Sequence, residues 1–159
     1  MEQSMPPTLE LHASRWFNTK EPISLAQMRG RVVAVHTFQM LCPGCVLHGL
    51  PQATKLHQTF SQEQLAVVGL HTVFEHHSVM GADALEAFIH EYRLRFPIGI
   101  DVADDEGPIP KTMRTWGLQG TPSLILIDKE GRTRLKHFGQ IDDMALGAVV
   151  GGLIGEPGA

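Results

Sequence analysis

Leu41-Cys42-Pro43-Gly44-Cys45 contains the only two cysteines of the 159-residue chain and joins two segments of different periodicity. The segment before it, residues 31–38, is β-branched and mostly apolar, which predicts a buried strand. After it, apolar residues recur every three or four positions, which predicts a helix over about residues 43–60 with one face toward the core. These apolar positions are Val46, Leu47, Leu50, Ala53, Leu56 and Phe60. We therefore expect Cys42 at or just before a helix N-terminus.

This position predicts a reactive cysteine pair. Unpaired backbone N–H groups and the positive end of the helix dipole favour a thiolate over a thiol at a helix N-terminus. In such motifs the pKa of the first thiol can fall from about 8.5 to roughly 7 or lower. We predict that Cys42 is the nucleophile and that Cys45, one helical turn later, is the resolving thiol that attacks the mixed disulfide. The pair would then cycle between dithiol and disulfide.

The motif has two other interpretations. A Cys-x-x-Cys can be half of a zinc site, but the sequence has no second cysteine pair. His71 and His76 have a suitable spacing, although we expect one in a strand and the other in a loop. Both cysteines can also pack as small hydrophobic residues. Glu75-His76-His77 suggests a separate metal site, for which a solvated loop is the favoured interpretation. The strand, turn and helix context favours redox chemistry with no metal.

Composition narrows the possible functions. The 13 basic and 17 acidic residues are interspersed and give a net charge of −4, so neither nucleic acid nor an anionic membrane is an expected partner. The apolar runs are too short to span a membrane. Residues 1–7 lack the pattern of a secretory signal, which predicts a cytoplasmic location unless a leader has been removed. The length predicts one domain over residues 1–159, with residues 1–8 as a flexible tail.

The rest of the chain alternates strands and helices. The expected elements are a strand within residues 9–17, a helical turn over 24–30 capped by Ser24, a strand over 65–71, a loop over 72–81, a helix over 82–94, a strand over 96–101, a short helix over 109–116, a hairpin of strands 123–127 and 133–138, and a helix from Asp142 to about Ile154. Pro51 is expected to kink the helix that follows the cysteines. This order predicts a three-layer α/β domain with a mixed central sheet flanked by helices.

Three of these features resemble the thioredoxin fold: the strand over 31–38, the Cys-Pro-Gly-Cys motif that opens a helix, and Trp116-Gly117-Leu118-Gln119-Gly120-Thr121-Pro122 before a hairpin. The resemblance implies a thioredoxin-like fold with a C-terminal β-hairpin and helix. It also implies a cis peptide bond before Pro122, which faces the sulfurs, although a plain trans turn is the alternative. The backbone of Thr121 would bind an extended substrate segment.

The unit over residues 65–101 resembles an insertion found in the redoxin branch of this superfamily. That branch includes the alkyl-hydroperoxide-reductase/thiol-specific-antioxidant proteins and the thioredoxin-like reductases of cytochrome maturation. The resemblance covers nearly the whole chain, from Leu9 to Ile154. It implies a thiol-disulfide oxidoreductase without a cofactor, whose partners are a protein disulfide and an upstream reductant of the thioredoxin or glutathione type.

The sequence differs from thioredoxins close to the cysteines. Leu41 replaces the usual tryptophan, and His36 replaces a buried carboxylate. A neutral His36 can accept the proton of Cys45, or it can be a core histidine with satisfied hydrogen bonds. His48 occupies the place of a glutamate in many cytochrome-maturation relatives, so it either tunes the thiols or lies on the helix surface.

Two other functions remain open. One is a thiol peroxidase that forms a sulfenate on Cys42 and resolves it with Cys45. Peroxiredoxins, however, carry a Pro-x-x-x-Thr/Ser-x-x-Cys pattern, and the matching positions before Cys42 are Val35 and Gln39. The other is a redox-sensing module without enzymatic activity, whose disulfide controls a partner.

Overall fold

The structure is a computed structural model that describes residues 9–158. Six strands form one sheet in the order β1-β4-β3-β2-β5-β6. The strands are β1 Ala13–Phe17, β2 Val32–Phe38, β3 Leu65–His71, β4 Ile98–Asp101, β5 Ser123–Ile127 and β6 Thr133–Phe138. The central strands β2, β3 and β4 are parallel, whereas β1, β5 and β6 pair antiparallel with their neighbours. The predicted mixed sheet is therefore confirmed.

Helices cover both faces of the sheet, as a three-layer α/β fold requires. They are α1 Leu50–Thr59, α2 Ala82–Glu91, α3 Lys111–Thr115 and α4 Asp143–Gly155, with short 3₁₀ turns at Leu25–Met28 and His77–Val79. Because side chains of a strand alternate between faces, Ala34 of β2 packs with α1, α2 and α4, whereas Val35 packs with α3 and the segment before β1.

Several element ends differ from the predictions because of local backbone chemistry. The first strand, Ala13–Phe17, lies within the predicted residues 9–17, but Ser24 precedes its helical turn without the expected side-chain capping bond. Helix α2 ends at Glu91, and Arg93 follows with a φ of +54°. Helix α3 begins only at Lys111, since a residue that precedes a proline is disfavoured in a helix and Pro110 follows Ile109. The tail predicted for residues 1–8 lies outside the described residues.

The segment after the cysteines contains a π-helical turn where a kink was expected. Residues 43–59 are helical throughout, and a π turn covers Cys45–Gly49. Leu50 N–H donates to the Cys45 carbonyl, five residues back, so the irregularity lies before Pro51. Pro51 therefore lies directly after the π turn, inside one continuous helical segment, where it cannot donate a backbone hydrogen bond to the preceding turn.

The C-terminal part matches its prediction closely. Strands β5 and β6 form the predicted hairpin. The Asp142 carboxylate accepts the N–H of Ala145 at 2.9 Å, which confirms it as the N-cap of α4. Among residues 9–158, no helix is both long enough and apolar enough to cross a membrane.

Candidate active site

The two cysteines lie at the edge of the sheet where the parallel strands β2, β3 and β4 have their carboxyl ends. Residues 39–42 connect β2 to the helix, and Phe38 at the end of β2 pairs with His71 at the end of β3. The hairpin strand β5 begins at this same edge, because it runs antiparallel to β2. Ligand and catalytic sites of open α/β sheets usually lie at this edge.

The two thiols have different environments. Cys42 is half-buried, whereas Cys45 has 0% of its surface exposed, and both are free thiols. The Cys42 sulfur accepts the backbone N–H of Cys45 at 3.2 Å and lies 3.5 Å from the Thr121 carbonyl oxygen. Burial raises the pKa of the Cys45 thiol to about 12, so Cys45 is protonated at neutral pH. Only Cys42 is therefore placed to react first.

The segment before β5 packs against the start of the cysteine helix. The Thr121–Pro122 peptide bond is cis, as predicted. A β-carbon on Gly44 would lie 3.3 Å from Pro122 Cδ, and one on Gly49 would lie 3.0 Å from Pro122 Cβ. Glycine at these two positions lets the helix approach Pro122 closely. The Thr121 carbonyl consequently faces the Cys42 sulfur.

His36 is buried on the same face of β2 as Ala34, the face that packs with α1, α2 and α4. It is 2% exposed, and burial lowers its pKa to about 4, so it is neutral at pH 7. Among residues 9–158, no group forms a hydrogen bond with its Nε2 atom, whereas the core-histidine interpretation expects satisfied hydrogen bonds. Within residues 9–158, no hydrogen bond joins His36 to Cys45. Its role as the base for Cys45 stays a prediction.

A half-open cavity of about 220 Å³ lies between α1 and the start of α4. His36, His48 and Pro122 line it, together with Gln52 and Asp143. Gln52 donates from its side chain to the Ile141 carbonyl at 2.8 Å and to the Asp143 carboxylate at 2.9 Å, which fixes the wall of the cavity. His48 is exposed, as the surface interpretation of this residue expects.

Two buried side chains near the cysteines have a role that the sequence interpretation missed. His71 Nε2 accepts the backbone N–H of Met40 at 3.3 Å, and Gln39 Oε1 accepts the N–H of Phe74 at 3.2 Å. From the sequence, His71 was expected only as a strand residue or a metal ligand. The available signal was a polar residue at the carboxyl end of a buried strand, where active-site residues often lie.

The loop with Glu75-His76-His77 contains no metal cluster. Among residues 9–158, no three histidine, cysteine, aspartate or glutamate side chains are grouped closely enough to hold a metal ion. The loop residues are exposed, and His77 Nε2 hydrogen-bonds the Pro108 carbonyl at 3.0 Å. The exposure of residues 75–77 is what the solvated-loop interpretation expects.

Two solved structures share the fold of this chain and nearly half of its aligned residues. A thiol-disulfide isomerase from Corynebacterium glutamicum is 49% identical, with a TM-score of 0.91 over 95% of this chain and 97% of its own. A protein of the thioredoxin-like superfamily is 48% identical, with a TM-score of 0.93 over 96% of this chain and 98% of its own. These likenesses confirm the thioredoxin-like fold.

More distant relatives are longer than the matched region. ResA, a thiol-disulfide oxidoreductase of Bacillus thuringiensis, is 24% identical over 74% of this chain and 61% of its own length. NHL repeat-containing protein 2 of Bos taurus is 28% identical over 79% of this chain, which spans only 16% of that protein. The sequence profile of the AhpC/TSA family matches residues 4–136. The chain therefore belongs to the AhpC/TSA family, among the thioredoxin-like redoxins.

Proposed function

We propose that the chain is a thiol-disulfide oxidoreductase, with Cys42 as the nucleophile and Cys45 as the resolving cysteine. The observation behind this proposal is the difference between the two thiols. Cys42 is partly exposed and its sulfur accepts an N–H at 3.2 Å, whereas Cys45 is buried and protonated, so Cys42 is the thiol that a substrate disulfide can reach. The names of the isomerase and ResA relatives support the same assignment.

The reaction has two exchange steps. The Cys42 thiolate attacks one sulfur of a substrate disulfide, the substrate S–S bond breaks, and the departing sulfur leaves as a thiolate. Cys45 then loses its proton and attacks the Cys42 sulfur, which releases the second substrate thiol and forms a Cys42–Cys45 disulfide. The substrate gains two electrons from the thiol pair, one proton from Cys45 and one proton from solvent, and the protein loses the two electrons as it forms the disulfide. An upstream thiol reductant returns the pair to the dithiol.

The proton of Cys45 needs an acceptor in the second step. His36, with a pKa of about 4, is a weak base for a thiol whose pKa is about 12. A departing substrate thiolate is more basic than this imidazole. We therefore favour the substrate thiolate as the acceptor and treat His36 as a buried neutral group of the cavity.

Protein disulfides are the proposed substrates. The backbone of Thr121 next to Cys42 offers an edge on which an extended peptide can add as a strand. Leu41, Leu47 and Phe138 are exposed apolar side chains, and Phe138 packs against Gly120 beside this segment. Such a surface fits the unfolded segment of a protein better than a small polar disulfide. The proposed reductant is of the thioredoxin or glutathione type, in a cytoplasmic location.

Substitution of each cysteine tests the proposal. With a peptide disulfide as substrate, Cys42→Ser should abolish exchange, because the remaining thiol, Cys45, is buried and protonated at neutral pH. Cys45→Ser should accumulate a mixed disulfide on Cys42, detected as the added peptide mass under non-reducing conditions. Turnover by Cys42→Ser at the wild-type rate would show that Cys42 is not the nucleophile.

A peroxidase is the second candidate, and the AhpC/TSA match is the observation that favours it. It requires Cys42 to form a sulfenate with hydrogen peroxide, with loss of water when Cys45 closes the disulfide. Gln39 and Val35 do not supply the hydroxyl and proline of the peroxiredoxin pattern. Rapid peroxide consumption together with slow peptide-disulfide exchange would favour this function over the first.

A further inference from the structure

His71 makes a hydrogen bond that ends close to the reactive cysteine. It is the last residue of β3, is 1% exposed, and accepts the backbone N–H of Met40 at 3.3 Å. Met40 belongs to the four-residue segment 39–42 between β2 and the helix. Since an acceptor nitrogen carries no proton, His71 Nε2 must be unprotonated in this arrangement. The side chain therefore acts as a neutral imidazole of one defined tautomer.

The same segment is held at further points. Cys42 N–H donates to the Gln39 carbonyl at 3.2 Å, and the buried Gln39 side chain accepts the N–H of Phe74 at 3.2 Å. Thr72 N–H donates to the Phe38 carbonyl at 3.0 Å. The Gln39–Phe74 bond ties this segment to the residues that follow β3, and the Thr72–Phe38 bond does the same for the last residue of β2. The Met40–His71 bond is the one among them that depends on an ionisable side chain.

We propose that His71 is a positioning residue for Cys42. Its imidazole fixes the Met40 backbone and thereby holds the Cys42 sulfur beside the Cys45 N–H and the Thr121 carbonyl. This role rests on the proposed function in one respect, namely that Cys42 is the reacting thiol. Burial, which lowers the pKa of His71 to about 4, keeps the acceptor available throughout the neutral range.

Packing is the competing explanation for a buried histidine here. The His71 ring lies 5.1 Å from the Phe38 ring, at an interplanar angle of 39°. If packing were its only role, an aromatic ring without the nitrogen acceptor would serve as well. If positioning is its role, a side chain that keeps an acceptor but lacks the ring should replace His71 better than a ring that lacks the acceptor. Without an acceptor, the Met40 N–H would have no hydrogen-bond partner and the segment would have to move.

Two substitutions separate these explanations. His71→Phe keeps a ring and removes the acceptor, whereas His71→Gln removes the ring and keeps an acceptor at a similar reach. We expect His71→Phe to slow iodoacetamide alkylation of Cys42 by about tenfold at neutral pH and to raise the pH of half-maximal alkylation. We expect His71→Gln to stay within about threefold of wild type on both measures.

His57→Phe is the matched control. His57 lies in the last turn of α1, and its ring packs edge-on against the Phe96 ring, with 6.1 Å between the ring centroids. The substitution should not change the rate of Cys42 alkylation. The positioning role would be overturned if Cys42 in His71→Phe were alkylated at the wild-type rate. It would also be overturned if His71→Gln slowed the alkylation as much as His71→Phe does. Alkylation reports on Cys42 alone, so this result can be interpreted even if the wild-type protein fails to reduce a disulfide.

A measurement on the wild-type protein covers the case in which His71→Phe does not fold. Nitrogen NMR of the histidine side chains distinguishes the two neutral tautomers. At about pH 7 we expect the His71 signal of an unprotonated Nε2. A proton on Nε2 would exclude the bond to Met40 and contradict the proposal.

Discussion

At the scale of single residues, His36 and His71 make the stability of the protein depend on pH. Burial lowers the pKa of each to about 4, from 6.5 in an exposed chain. The unfolded state therefore binds protons that the folded state does not, and the free energy of unfolding decreases as the pH falls from about 6.5 to about 4. From pH 7 to pH 5 we expect a loss of about 2 kcal/mol for each histidine, measured by denaturant unfolding.

His36→Leu tests how much of the pH dependence of the free energy of unfolding comes from His36. This variant removes the unpartnered Nε2 and should flatten the dependence of stability on pH by about half. The exposed His48 provides the control, since His48→Leu should keep the wild-type slope. An unchanged slope in His36→Leu would mean that His36 is not held neutral by burial.

The same residues show how far the sequence could predict the site. The cysteines were found because the Cys-x-x-Cys motif is local and its chemistry depends on the adjoining strand and helix. His71 was missed because its partner is the backbone of Met40, 31 residues away, and a backbone N–H has no signature in the sequence. The missing partner of His36 likewise depends on packing between β2 and distant elements.

At the scale of elements, the start of the cysteine helix depends on its contact with Pro122. Gly49→Ala would place a β-carbon 3.0 Å from Pro122 Cβ, which is too close for a rigid ring. Although alanine is the better helix former, we expect this variant to lower the free energy of unfolding by about 1–3 kcal/mol. Thermal or denaturant unfolding measures the change.

Gly151→Ala in α4 is the control for helix propensity. A β-carbon there meets no atom within 4 Å, so this substitution should stabilise the protein by up to about 1 kcal/mol. If both alanine variants changed stability in the same direction, the contact with Pro122 would not be the cause of the effect at Gly49.

Strands and helices were predictable where their cause is local. Buried β-branched runs predicted β2 and β3 within one residue, and Asp142 predicted the start of α4. The π turn at Cys45–Gly49 was not predictable, because it adds one residue to a single turn without changing which residues are apolar. The ends of α2 and β4 also depend on tertiary contacts, since the Asn18 side chain binds the Leu94 and Phe96 carbonyls between them.

At the scale of the whole molecule, the candidate active site and the hydrogen-bonded turn around Asp128 lie at opposite ends of the sheet. The cysteines, His71 and Thr121 lie at the end where β2 and β3 finish. The hairpin turn between β5 and β6 lies at the other end, since Val33 near the start of β2 pairs with Ile127 at the end of β5. Asp128 in this turn is only 4% exposed and accepts hydrogen bonds from Glu130, Arg132 and Arg134.

Asp128→Asn should therefore affect stability without affecting reactivity. Burial opposes the charge of Asp128, but the hydrogen bonds from Arg132 and Arg134 outweigh it and hold the pKa of this carboxyl below its usual value. The amide keeps the size of the side chain but loses the charge, so we expect the free energy of unfolding to fall by about 1–3 kcal/mol. Cys42 alkylation should stay at the wild-type rate, whereas His71→Phe should slow it. Slower alkylation in folded Asp128→Asn would mean that the two ends of the sheet are coupled and that the positioning of Cys42 depends on the whole sheet, beyond the contacts at its own edge.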